Sequence, residues 1–440
     1  MKNVLILGAG FVSRPGVRYL LESKTLNVTV ADIFPERAEK LVSGYKNGKA
    51  VELDINDAEK LENTIKEHDI VVSLLPWTLH MKVADLCVKN SRNMATTSYV
   101  SDGMRALDRA VKEKGLLFLN EIGVDPGIDH MSAKKIIDEV EAEGGKIVEF
   151  YSTTGGLPAP EDNDNPFGYK FSWSPKGVIL ASGNPARFLK DGKIVDIPGE
   201  ELFLNYKNEN IDGLGEFELY PNRDSVVYKD VYGLEGIETL IRGTYRYPGW
   251  CRTLKLIVDM GLLSDTPLAG ISGVPFREAI VKLSVLEGAE DLKKTVIEKF
   301  NLKDDSEELK RLEWLGIFSD ELTSDKDNFL DILSDLMKKK LYYKDNEKDM
   351  ILMQHTFIVL NKNGSKDRIT STLIDYGIPG GDSSMSRTVS LPLAIGVKMM
   401  AEGKFDLTGV QIPVLKELYL PVLAELETLG IKMVEKRTSL

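Results

Sequence analysis

The chain reads as an α/β protein: an N-terminal doubly wound parallel sheet, a second α+β domain and a small helical domain. Three observations point there. Short apolar runs alternate with amphipathic helical stretches from residue 3 to residue 119, the pattern of strands buried on both faces by crossover helices. Strand-like and aromatic stretches then fill 170–260, and 264–345 turns rich in Lys, Asp, Glu and Leu at helical spacing. A length of 440 residues also exceeds what one hydrophobic core supports. The expected division is 1–127 for the first domain, completed by 385–440. The second takes 128–263 and 346–384, and the helical one takes 264–345.

Taken in order, Asn3–Leu7 is a buried strand entering a glycine turn. Val17, Leu20 and Leu21 at i, i+3, i+4 place a helix from Arg14, with Pro15 in its first turn, where a missing N–H is no loss. Strands follow at Asn27–Ala31, Ala50–Leu53, Ile70–Ser73, Asn93–Thr96 and Leu116–Leu119. Helices separate them at Pro35–Leu41, near Ala58–Glu67, around Val83–Cys87 and from Ser101. A helix burying Ala133, Ile136, Ile137 and Val140 ends at Gly144-Gly145, and Lys146–Ser152 is a strand. Gly155–Gly168 holds so much Gly, Pro and Asn that it reads as a long functional loop without regular structure. Residues 351–376 return to strand alternation. A helix near Thr388–Met400 and the tail Val414–Leu429 are expected to pack back on the first domain.

Composition excludes several classes. No apolar stretch reaches the roughly 18 residues of a membrane helix, and Val4–Leu7 breaks at Gly8-Ala9-Gly10, so it reads as a strand and not a signal peptide. A net charge of −12 argues against nucleic-acid partners, which need clustered Lys and Arg. Cys87 and Cys251 form no CxxC motif and have no His at ligand spacing, which speaks for the reducing cytoplasm and against a disulfide framework or structural zinc. No metal site is expected: His68, His80 and His355 show no ligand spacing, and His130 falls in the first turn of a helix, in a structural role. The expected partner is a small molecule; a homodimer is compatible with a sequence that does not define the oligomeric state.

Gly8-Ala9-Gly10-Phe11-Val12-Ser13 follows a strand and opens a helix. Gly8 makes the tight turn, Gly10 lets the backbone approach a pyrophosphate, and the helix N-terminus offers N–H groups and partial positive charge. Ser13 stands where the usual fingerprint has its third glycine. Asp32 ends the second strand 19 residues later. A carboxylate there accepts from the adenine-ribose hydroxyls and repels a 2′-phosphate, which predicts NAD over NADP, with Arg37 keeping NADP open. The first sheet is therefore Rossmann-type. Leu74-Leu75-Pro76-Trp77, Thr96–Val100 and Glu121–His130 follow its later strands, and ligands lie outside the carboxyl ends of such strands. From spacing alone, Asp125-Pro126-Gly127 serves equally as a turn and helix cap. Arg223, Arg242 and Arg246 sit among turn residues; the planar arginine fork suits carboxylates, although any one of them alone reads as a surface ion pair.

These motifs resemble the saccharopine reductase family, the glutamate-forming saccharopine dehydrogenases. The matching stretches are Gly8–Pro15, Thr97–Ser101, Asn120–His130, Gly155–Glu161 with Asp164–Ser174, Tyr220–Ser225, Arg242–Tyr247, Trp314–Ser319 and Ser384–Pro392. The resemblance covers nearly the whole chain. It implies a reversible, nicotinamide-dependent reaction in lysine synthesis or degradation: glutamate and 2-aminoadipate 6-semialdehyde condense to an imine that is reduced to saccharopine. By resemblance, Ser98, Tyr99, Asp125, Arg223, Thr244, Tyr245 and Arg246 contact the substrate. Gly10, Phe11, Val12, Leu74, Leu75, Pro76, Val124, Asp125, Pro126 and Ser174 line the cofactor, and Asp125 and Tyr99 are the candidates for proton transfer.

Two departures from the family pattern stand out. Thr154 replaces a common cysteine, and Asp32-Ile33 stands where fungal members have Cys-Arg, which strengthens the expectation of NAD. No lysine–ketoglutarate half is present, so a stand-alone reductase is expected. Two rival readings are a carboxynorspermidine dehydrogenase-like imine reductase and a dinucleotide-binding protein without turnover. Consumption of NADH with an aldehyde and an amino acid separates turnover from binding.

Overall fold

In the computed structural model, which describes residues Met1–Leu440, the N-terminal apolar runs become six strands with helices between them. They are β1 (Lys2–Leu7), α1 (Arg14–Leu21), β2 (Leu26–Asp32), α2 (Pro35–Val42), β3 (Gly48–Glu52), α3 (Ala58–Lys66), β4 (Ile70–Ser73) and α4 (His80–Lys89). β5 (Asn93–Thr96), α5 (Asp102–Ala106), α6 (Asp108–Glu113), β6 (Leu117–Leu119) and α7 (Ile128–Ala142) complete the run. The next stretch holds β7 (Lys146–Pro158), α8 (Pro175–Ala181), β8 (Ala186–Lys190), β9 (Lys193–Ile197), β10 (Lys207–Ile211), β11 (Gly215–Pro221), α9 (Tyr228–Tyr232) and β12 (Thr239–Arg246). Helices follow: α10 (Trp250–Asp259), α11 (Phe276–Ile280), α12 (Leu292–Lys299), α13 (Glu307–Leu315) and α14 (Phe329–Lys340). The chain ends with β13 (Asp349–Leu360), β14 (Lys366–Tyr376), α15 (Ser384–Ala401), β15 (Gly409–Gln411), α16 (Lys416–Thr428) and β16 (Val434–Ser439).

Two compact units result. The first comprises Met1–Lys146, Asn361–Ser365 and Ser371–Arg437; the second comprises Ile147–Leu360, Lys366–Thr370 and Thr438–Leu440. The first unit carries a parallel sheet in the order β15-β6-β5-β4-β1-β2-β3, the doubly wound Rossmann-type arrangement with a seventh strand added from the C-terminal region. The period of two is visible within β1: Val4 and Ile6 join the core beneath α1, while Leu5 and Leu7 join the core on the opposite face. α15 packs on α1, with a tight contact at Gly16. Its N–H donates to the Ser390 hydroxyl at 2.9 Å, and a Cβ there would lie 2.6 Å from the Ser390 carbonyl oxygen.

Several boundaries differ from those expected. α7 belongs to the first unit, where it packs on α16 through Tyr419, whose hydroxyl donates to Asp138. The segment 264–345 lies inside the second unit. Leu312, Phe329 and Leu333 share one core with Phe217, Tyr245 and Trp250 of the sheet region, so these helices have no separate core. Gly155–Pro158, expected as loop, is the end of strand β7. β7 runs parallel to β12 with Thr154 opposite Thr244, and a Cβ at Gly155 would sit 2.8 Å from the Tyr245 carbonyl oxygen. Glycine here marks a close backbone approach within a strand. Within the second unit the strands run β10-β11-β12-β7-β13, with β8 pairing with β12 and β9.

Gly16→Ala is expected to lower the unfolding free energy by about 1–3 kcal/mol, the usual cost of overpacking a tight helix–helix contact. A urea midpoint shifted downward at constant m-value is the check; an unshifted midpoint would mean that α15 moves away freely.

Candidate active site

The glycine turn and the end of β2 form one bonded unit. Gly8 has φ +106°, and a Cβ on it would lie 3.0 Å from the Leu74 carbonyl oxygen, so both the turn and the neighbouring strand end require glycine. Asp32 accepts from the Ala9 N–H at 2.7 Å and from the Phe34 N–H at 2.9 Å. Its carboxylate therefore braces both the glycine turn and the entry to α2. Gly10 faces open space, where a Cβ would touch nothing within 4 Å. Around it Phe11 is 79% exposed, Trp77 74% and Ile33 54%. Large apolar side chains left in solvent at the ends of parallel strands offer surface to a planar ligand. An approachable Gly10 backbone, a carboxylate at the end of β2 and this apolar rim fit a dinucleotide. Pro76 is exposed nearby in sequence, Val12, Leu74 and Leu75 are half-buried, and Val124 and Pro126 are buried.

Beyond β5 and β6 the chain brings the predicted catalytic pair together. The Tyr99 hydroxyl donates to Asp125 Oδ1 at 2.8 Å. Buried Glu121 fixes the two segments that carry them. Its Oε1 accepts from the Val100 N–H at 2.8 Å, its Oε2 lies 2.8 Å from His130 Nε2, and its own N–H donates to the Ser98 carbonyl. His130 is therefore structural, as expected. The Asp125 loop is closed by Gly123 N–H to the Pro126 carbonyl and Ile128 N–H to the Gly123 carbonyl. Gly127 has φ +147°, and a Cβ there would lie 2.1 Å from Gly123, so no other residue fits. Ser98 meets His80, whose Nε2 is 2.7 Å from the Ser98 hydroxyl and whose Nδ1 is 2.8 Å from the Ser73 hydroxyl.

The second unit holds the remaining predicted residues. Arg223 adopts φ +55° in an exposed turn between β11 and α9. On β12, alternation places Thr244 and Arg246 on one face and Tyr245 on the other. The Tyr245 phenol is buried and bonded to Glu209, so its side chain serves the interior and only its backbone remains for a ligand. Arg246 is buried. Its Cζ lies 5.0 Å from the Tyr169 ring centroid and 5.3 Å from that of Trp250, and its Nη1 donates to the Tyr245 carbonyl at 2.8 Å. No carboxylate pairs with it, and its Nε and the Trp250 indole N–H have no acceptor. Thr154, in register with Thr244, is half-buried, with a buried hydroxyl that has no partner. Ser174 caps α8 by accepting from the Gly177 N–H.

The profile of the saccharopine dehydrogenase NADP binding domain matches residues 4–119, and that of the saccharopine dehydrogenase C-terminal domain matches 123–431. The chain belongs to the saccharopine dehydrogenase family. Saccharopine dehydrogenase (NADP+, L-glutamate-forming) of Pyricularia oryzae is 42% identical over 446 residues, covering 99% of each chain. The enzyme of the same description from Schizosaccharomyces pombe is 40% identical at the same coverage. The solved apo saccharopine dehydrogenase (L-Glu forming) from Saccharomyces cerevisiae superposes with a TM-score of 0.90 at 40% identity, over 100% of both chains. These family members support a dinucleotide cofactor and favour NADP, against the NAD expected from Asp32.

Two features escape sequence reasoning. His80 has no spacing signal, because its partners Ser73, Thr96 and Ser98 come from the ends of β4 and β5. Glu121 lies within a recognised motif, but only the fold shows it bridging two strand ends. Burial pushes the His80 pKa down from 6.5 to about 4, and burial lowers that of His68 as well. With the folded-state pKa below the unfolded one, the unfolded chain takes up the proton first. Stability therefore falls as pH falls from about 6.5 towards 4. Between about pH 7 and pH 5, His80 is expected to contribute a loss on the order of 2 kcal/mol. Urea titrations of wild type and His80→Gln at both pH values check this, since the variant should lack that part of the loss.

Proposed function

We propose that the chain oxidises saccharopine to L-glutamate and 2-aminoadipate 6-semialdehyde, reversibly, with NAD preferred over NADP, in the cytoplasm. Arg246 carries the reading: it is a buried guanidinium without a counterion. Burying an unpaired charge is costly, so such a group is best explained by an anionic ligand that completes it. Saccharopine brings three carboxylates. A polyamine-type imine brings fewer carboxylates and more ammonium groups, which suits this cation poorly. The relatives' named activity supports the same substrate.

When bound, the dinucleotide accepts hydride in the oxidative direction and supplies it in reverse. Tyr99 and Asp125 handle protons. Asp125, holding the Tyr99 hydroxyl, takes the proton of the secondary ammonium and passes it to solvent, so that the neutral amine loses hydride and becomes an iminium; the emptied carboxylate then takes one proton from the water that adds to the iminium carbon. Returning that proton to the nitrogen of the resulting carbinolamine, while its hydroxyl gives its own proton to solvent, breaks the C–N bond and leaves the aldehyde and glutamate. Arg246 and Thr244 hold carboxylates, and Arg223, being exposed, contributes less because solvent screens it. The proposed cofactor preference rests on Asp32: its negative charge opposes a 2′-phosphate, and the nearby cation Arg37 is stacked 4.4 Å over the Phe34 ring. The two cysteines are free and buried, in keeping with a reducing compartment.

Reduced nicotinamide is expected to accumulate with saccharopine, faster with NAD than with NADP; no turnover with either would end the substrate assignment. Arg246→Ala should lower kcat/KM for saccharopine by roughly thirtyfold or more, the scale for losing one partner of a buried ion pair. Asp32→Asn keeps an acceptor for the Ala9 N–H while removing the charge, at the cost of the Phe34 N–H acceptor, and should shift the NAD/NADP ratio of kcat/KM towards NADP. An unchanged ratio would take Asp32 out of cofactor choice.

A further inference from the structure

His80 lies in the middle of a hydroxyl chain whose direction can be derived. The ring is buried and neutral, so one nitrogen donates and the other accepts. Nδ1 is 2.8 Å from the Ser73 hydroxyl; Nε2 is 2.7 Å from the Ser98 hydroxyl and 3.4 Å from the Thr96 hydroxyl. Thr96 decides which nitrogen carries the hydrogen. Its single hydroxyl proton is given to the Ser73 carbonyl at 2.9 Å. Towards His80, Thr96 therefore presents only a lone pair, and an unprotonated Nε2 would set lone pair against lone pair. Nε2 consequently carries the hydrogen and Nδ1 accepts from Ser73.

The consequence falls on Ser98. Its oxygen accepts the Nε2–H, so its own proton is directed away from the imidazole. We infer that His80 is a positioning residue that makes Ser98 an obligatory hydrogen-bond donor to a substrate carboxylate. This rests on the reading of Ser98 as a substrate contact and adds the polarity of that contact and the residue that sets it. With the opposite tautomer, Ser98 would spend its proton on the ring and face the substrate as an acceptor, repelling a carboxylate. The ring sits on the first residue of α4, so the helix holds it against both strand ends.

Two measurements test the inference. The first needs no substitution: long-range proton–nitrogen NMR of enzyme labelled at its four histidines, with the His80 signal assigned by its loss in His80→Gln. The Nε2–H tautomer is expected; an Nδ1–H tautomer overturns the inference whatever the variants do. The second is kinetic. Ser98→Ala should raise KM for saccharopine roughly ten- to hundredfold, the scale of one hydrogen bond to a charged group, with KM for the dinucleotide unchanged. His80→Leu should raise it by a similar factor, and the double variant no further. His80→Gln, whose amide keeps an N–H for Ser98, should recover most of the loss. Normal kinetics in Ser98→Ala would overturn the substrate reading of Ser98, and the inference with it. An impaired Ser98→Ala beside a normal His80→Leu, or a double variant in which the two effects multiply, would overturn the inference alone.

Discussion

The ends of β5 and β6 depend on one buried carboxylate. Glu121 occupies a left-handed backbone conformation, φ +55°, which a residue with a side chain adopts at a cost. It persists because both side-chain oxygens and the backbone N–H are engaged, with Val100, His130 and the Ser98 carbonyl respectively. This junction sets the segment bearing Ser98 and Tyr99 against the loop bearing Asp125. The 2.8 Å contact between Tyr99 and Asp125 follows from it. A buried network of this kind specifies one geometry because leaving any member unpaired is expensive.

The second unit has the opposite character. Around β12 the polar atoms without partners include Arg246 Nε, the Trp250 indole N–H and the Thr154 hydroxyl. They accumulate near the same strand, while Tyr245 on the other face is fully engaged with Glu209. The unpartnered atoms gathered around Arg246 mark surface that a ligand can complete, whereas the bonded Tyr245 phenol belongs to the scaffold. A ligand that completes the unsatisfied face stabilises the unit by mass action as it binds. Thr154 fits this view of the family's cysteine position: a hydroxyl donates better than a thiol, so the position remains able to bond to a substrate even though the thiol is gone.

The first unit was legible in the sequence because its strands are buried on both faces and its helices carry apolar stripes. Each strand from Asn3 to Leu119 is legible in the alternation, as are the helices between them, except that the single helix expected from Ser101 divides into α5 and α6. The glycine turn gave the fold, and the long motifs gave the family. The rest was illegible for specific physical reasons. Gly155–Pro158 looks like loop because glycine and proline are poor strand formers, yet strand pairing at a close backbone approach needs them. The 264–345 helices look independent because charge marks their outer faces, while their inner faces complete the neighbouring core. Tyr245 stands beside Thr244 and Arg246 in the motif that the resemblance supplies, and the face its side chain takes is legible only once the strand is known. His80 had no pattern to find, since its hydrogen-bond partners are assembled only by the sheet.

The proposed cofactor preference puts an electrostatic and a structural role on one residue, Asp32. Its carboxylate is the acceptor for the buried Ala9 N–H inside the glycine turn. Removing the acid from this chain by truncation would leave that donor unpaired, at a cost of about 1–3 kcal/mol, and would disturb the turn that receives the pyrophosphate. A change of cofactor preference at residue 32 therefore has to preserve an oxygen acceptor while changing the charge. An amide removes the charge and keeps the acceptor for the Ala9 N–H but not the one for the Phe34 N–H, whereas truncation removes the charge and both acceptors.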